Sequence, residues 1–169
     1  MEEFVISPPA AVIGTAVVLL VVTLAGVTLW KRTGRQRITA SVIAVLAIAA
    51  LLFAFYRPAT IRVHPEGIEI LERGTVSLSW AEVSSAVFVT DLRVSPFRPT
   101  VRTRGFALGE YRTGRFLLSN RESAQVFMEQ SQQAVVVRTR DLVYVLAPRD
   151  AAGLARAVDR YRVYDGGPR

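Results

Sequence analysis

The chain has 169 residues, 51% of them hydrophobic, and a formal net charge of +7. It contains no cysteine, which excludes disulfides, thiolate metal sites and a cysteine nucleophile. The positive charge is carried almost wholly by arginine, Lys31 being the only lysine, and such a surface suits contact with anionic groups.

Residues 1–9, MEEFVISPP, read as an N-terminal tail. Glu2 and Glu3 stand where a secretory signal would need basic residues. Two uncharged apolar runs follow, 10–30 and 38–56, joined by a basic turn, KRTGRQR, at 31–37. Each is about 20 residues, enough for a helix to cross a hydrocarbon core of about 30 Å. The expectation is therefore a two-helix transmembrane hairpin over 10–56, started by Pro8 and Pro9 and anchored by Trp30-Lys31 and Tyr56-Arg57. Lys31, Arg32, Arg35 and Arg37 in the turn, against none in the tail, predict a multi-pass protein of the cell membrane. The turn would be cytoplasmic, with both termini and the following domain extracytoplasmic.

From Arg57 the apolar period changes to two. Ile61, Val63, Ile68, Ile70, Val76, Leu78 and Trp80 alternate with polar residues, which marks strands with one buried face, separated by turns at Pro65-Glu66-Gly67 and Arg73-Gly74. Further strands are expected at 84–90, 115–119, 124–129, 134–139 and 142–146, and an irregular loop from Asp91 to Gly114. Asp150 then suits a helix cap, and Ala151, Leu154, Ala155, Val158 and Tyr161 make one apolar stripe. Residues 57–164 thus read as one mainly-β domain, a pleckstrin-homology-like (PH-like) open barrel of seven or eight strands capped by a C-terminal helix. Residues 165–169 read as a short tail.

Three stretches carry a family likeness: Gly67-Ile68-Glu69-Ile70 with Leu78-Ser79-Trp80-Ala81-Glu82-Val83; Arg104-Gly105 with Tyr111-Arg112-Thr113-Gly114-Arg115-Phe116; and Val135–Thr139 through Tyr144–Pro148 into the helix. In their order and spacing the chain resembles bacterial membrane proteins that carry a bacterial PH domain. Where that family often has Ser-Pro before the last helix, this chain has Ala147-Pro148. The resemblance implies a PH-like barrel tethered to a membrane.

Enzymatic chemistry finds no support in the residues. His64 is the only histidine, its strand position puts it on a polar face, and there is no nucleophile elbow and no phosphate-binding glycine loop. No catalytic residue, cofactor or metal site is expected. Phosphoinositide binding by a PH domain needs basic residues at the first hairpin, which here turns on Pro65-Glu66-Gly67 with only Arg62 nearby. That argues against such a ligand, and a domain at a membrane argues against nucleic acid. Two readings remain. One is a protein-interaction or scaffold module, a subunit of a membrane complex, with a membrane or extracytoplasmic protein as partner. The other is a lipid-contact module on the bilayer whose arginines hold anionic headgroups.

In either reading the contact surface is sought in Val101–Arg115, the most arginine-dense part of the domain. Arg102, Arg104, Arg112 and Arg115 are interleaved there with Phe106 and Tyr111, and arginine and tyrosine are both enriched at binding hot spots. The competing reading is a solvated loop whose arginines pair locally with Asp91 and Glu110.

Overall fold

A computed structural model of the chain describes residues 1–7, 58–72, 74–129 and 132–164. Met1–Ser7 and the chain from Pro58 onward belong to one compact unit. The strands are β1 (Glu2–Ile6), β2 (Ala59–His64), β3 (Gly67–Leu71), β4 (Thr75–Ser79), β5 (Ser85–Val89), β6 (Pro99–Leu108), β7 (Tyr111–Leu118), β8 (Ser123–Met128), β9 (Ala134–Arg138) and β10 (Val143–Ala147). They are followed by one helix, α1 (Ala151–Tyr164).

The first four strands form an antiparallel sheet in the order β1-β2-β3-β4. Its register follows from the alternation. Val63 lies opposite Ile68 and Ile61 opposite Ile70, so the buried side chains form rows on one face while Arg62 and His64 look the other way. The N-terminal residues extend the same sheet. Phe4 lies opposite Ile61, Ile6 opposite Ala59 with no exposed surface, and Glu3 pairs with Arg62 at 3.4 Å. Residues 6 and 59 being directly paired, the chain leaves and re-enters this sheet at neighbouring points.

The other six strands form a second sheet, β5-β9-β10-β8-β7-β6, antiparallel except where β10 runs parallel to β8. Its central strands carry continuous apolar runs, at 134–137 and 143–147, which suits strands covered on both faces. On one face Phe127, Val135, Val137, Tyr144 and Leu146 join Ile61, Ile68 and Ile70 of the first sheet and Leu154 and Val158 of α1. On the other, Val126, Val136, Val145, Phe116 and Leu118 lie under Leu92 and Phe97 of the 90–98 loop. The helix begins as its sequence dictates, with Asp150 Oδ1 accepting the Gly153 N–H at 2.7 Å, and it packs on β2, β5 and β9. The Met1 amino group donates to the Tyr161 hydroxyl at 3.0 Å and Arg160 pairs with Glu2 at 2.6 Å, tying β1 to the helix.

The sequence expectations are corrected at several points. The barrel of seven or eight strands is instead two sheets of four and six strands. One added strand is β1, in what reads as a tail; another is β6, in what reads as a loop. The spans expected at 10–30 and 38–56, and the turn 31–37, lie outside the described residues. Among the described residues no helix is long and apolar enough to cross a membrane. The helix there, α1, has 14 residues, about 21 Å of rise against a core of about 30 Å. The described residues form a mainly-β fold with one C-terminal helix, and among them the expected two-helix transmembrane hairpin finds no support. The assignment as a multi-pass integral membrane protein with an extracytoplasmic domain is withdrawn with it.

Candidate functional site

The arginine-rich segment is a β-hairpin at the edge of the six-stranded sheet. Thr100, Val101, Thr103 and Phe106 are residues that suit an extended chain, and Gly109, at φ 59°, forms a two-residue turn with Glu110 that joins β6 to β7. Two irregularities break the β6–β7 register, between Pro99 and Val101 and between Arg102 and Arg104. The residue inserted at each is a threonine whose hydroxyl donates across the ladder, Thr100 to the Leu117 carbonyl at 2.9 Å and Thr103 to the Arg115 carbonyl at 3.0 Å. Such bulges, with charged side chains, keep a long edge strand from pairing with another chain.

The register divides the six candidate residues between two faces. Arg104 lies directly opposite Arg115, and Phe106 opposite Thr113, so Arg104, Phe106, Tyr111 and Arg115 share one face. Tyr111 enters the core between the sheets, and Phe106, 38% exposed, meets its ring edge-on at 6.1 Å between centroids. Arg102, opposite Phe116, and Arg112, opposite Ala107, belong to the other face. The segment is thus two surfaces rather than one cluster.

Local pairing does not neutralise the hairpin. Asp91 is taken by Arg93, whose Nε and Nη2 donate to its two oxygens at 3.1 and 3.0 Å. Those bonds hold the Asp91 carboxyl below the usual aspartate range and push Arg93 further up. Among the described residues Glu110 makes no ion pair, and neither do Arg102, Arg104 and Arg115. Arg112 is part-buried, and its Nη1 donates to the Pro99 carbonyl at 2.6 Å.

On the Arg112 face a cavity of about 290 Å³ opens between the hairpin and the 90–98 loop, lined by Leu92, Arg93, Arg98, Pro99, Glu110, Arg112 and Met128. The loop is fastened from several sides. Ser119 N–H donates to the Arg98 carbonyl at 2.9 Å, Asn120 N–H to the Pro96 carbonyl at 3.1 Å, and the Arg138 guanidinium stacks over the Phe97 ring at 5.4 Å. Arg138 is itself gripped by Glu122 through bonds of 3.0 and 2.7 Å, which hold the Glu122 carboxyl below its ordinary range. The sequence singles out Arg112 and sets Glu110 beside it as a pairing partner, but misses Arg93 and Arg98 as its companions. The available signal was two arginines five apart around Ser95-Pro96, in a stretch already marked as a loop.

No catalytic constellation gathers here. His64 is on the other sheet, its Nε2 buried, 3.9 Å from Glu69 and without a hydrogen-bond partner among the described residues. Among the described residues no group of three or more His, Asp or Glu could hold a metal ion. What the hairpin and the cavity can do chemically is present guanidinium groups to an anion.

Compared with known proteins, residues 68–161 match the family model described as bacterial PH domain. No curated protein and no solved structure matches the chain.

Proposed function

Since this chain belongs to the bacterial PH domain family, whose model covers more than half of its length, we propose that it is a protein-interaction module whose contact surface is the β6–β7 hairpin. Domains of this family are typically non-catalytic, and the residues support binding rather than turnover. One observation carries the reading. Arg104 and Arg115 are directly opposed on neighbouring strands, both exposed, with no carboxylate paired to either among the described residues. Like charges so placed repel and weaken the ladder, a cost that an acidic partner surface turns into attraction. Phe106 beside them supplies apolar contact area.

The test compares the protein with its Arg104→Ala/Arg115→Ala double variant as baits in its own cell extract, with quantitative recovery of what each retains. A specific protein kept by the first and lost by the second, at unchanged melting temperature, is the expected result. Identical recovery by both baits defeats the reading. If no protein differs and only binding to anionic vesicles falls, the hairpin contacts headgroups instead.

A further inference from the structure

On the Arg112 face of the hairpin, away from Arg104 and Arg115, the cavity of about 290 Å³ has its own chemistry. We propose that it is an anchor pocket for one carboxylate side chain of an acidic peptide, an inference that rests on the hairpin being the contact surface and names what it grips. The space lies at the small end of ligand-binding clefts, which run from about 300 to 1,000 Å³, and suits one side chain with its adjoining backbone. Its floor is apolar, with Leu92 2% and Met128 5% exposed, and suits the methylenes of a glutamate stem.

The three arginines of the wall are not equivalent. Arg93 is already bound to Asp91 by two bonds. Arg112 is aimed by its bond to the Pro99 carbonyl, and Arg98 makes only a long contact of 3.4 Å to the Arg93 carbonyl. Arg98 and Arg112 therefore keep donors that no carboxylate of the described residues takes. A planar guanidinium edge matches a carboxylate in two parallel bonds.

Glu110 decides between ligands. It lines the same cavity and has no hydrogen bond or ion pair among the described residues. Its charge repels a phosphate dianion about twice as strongly as a single carboxylate at equal distance. Its oxygens can also accept a backbone N–H, which a peptide brings beside its acidic side chain and inorganic phosphate does not. Donors, one acceptor and an apolar floor together describe an acidic residue within a chain.

The experiment uses the full chain and a fluorescent, N-acetylated hexaglutamate peptide, read by anisotropy at low salt. Arg98→Met and Arg112→Met should each weaken binding about tenfold, as loss of a charge-assisted bond does. Arg156→Met on α1 should leave it unchanged. Arg98→Met guards against misfolding, because that exposed side chain supports less of the structure than Arg112 does. Wild-type affinity in both cavity variants overturns the pocket, and so does an equal loss in Arg156→Met, which would reduce the effect to general charge. Displacement of the probe by inorganic phosphate at comparable concentration overturns the choice of carboxylate. If Arg104→Ala/Arg115→Ala abolishes binding while the cavity variants bind normally, the hairpin reading stands and the pocket falls. If neither set has an effect, both fall.

Discussion

Gly105 on β6 and Gly114 on β7 lie directly opposite each other, with φ of 110° and 114°. The two backbones are in contact there. A Cβ on Gly105 would lie 2.7 Å from the Gly114 Cα, and one on Gly114 would lie 2.6 Å from the Gly105 Cα. The pair stands between the opposed Arg104 and Arg115 and the aromatic contact of Phe106 with Tyr111, so the strands close up just where the exposed charge begins.

Alanine at either position meets both a left-handed backbone and an overlap with the opposite strand. Gly105→Ala and Gly114→Ala should each cost about 2 kcal/mol or more, read as a lower urea midpoint. Gly109, also at positive φ but with open space around it, is the control: Gly109→Asn should change the midpoint little. Wild-type midpoints for both alanine variants would show that the hairpin does not need this close approach.

The helix α1 belongs to the core and is not an appendage. Leu154 has no exposed surface and packs in the cluster that holds Ile61 and Leu146. Leu154→Ala should destabilise the fold by about 2–5 kcal/mol in chemical denaturation. A loss under 0.5 kcal/mol, roughly the level of a surface substitution, would place the helix outside the cooperative unit.

Glu122 gives the fold a defined acid sensitivity. Its bonds to Arg138 hold its carboxyl below the ordinary value, so the folded state favours the ionised form. The stability from this pair is therefore complete above the unfolded value, about 4.3 for glutamate, and is lost as pH falls through the lower folded value. At neutral pH Glu122→Gln should melt below the parent protein, and the gap should close on acidification. The pair is more than a third exposed, so the difference should be modest and shrink with salt. A gap that stays constant down to strongly acid pH would mean that the ionised pair contributes nothing. Because Arg138 also stacks on Phe97, the same variant should loosen the loop that walls the cavity, which hydrogen exchange at residues 92–98 can follow.

Several parts of this fold are local properties that the chain carries in plain view. The alternation of Ile61, Val63, Ile68 and Ile70 dictates the hairpin of β2 and β3, because a strand with one dry face must place every second residue in the core. Asp150 and the stripe through Leu154 and Val158 dictate α1 in the same way. The basic, aromatic character of 101–115 is also legible, since it depends on residue type alone. Tertiary structure decided what local pattern does not encode. Glu2–Ile6 is too short to announce a strand, and it becomes one only because Phe4 and Ile6 find Ile61 and Ala59 more than fifty positions away. The spans read from apolar length at 10–30 and 38–56 lie outside the described residues, among which no helix is long and apolar enough to cross a membrane. The arginines of the hairpin looked like one cluster, and strand alternation set Arg104 and Arg115 on one face and Arg112 on the other. Arg98 and Glu110 met Arg112 around a cavity only because the 90–98 loop folds over the second face of the sheet, burying Leu92. Which side of a strand a residue occupies, and which distant loop covers it, are fixed by pairing and packing between segments far apart in sequence.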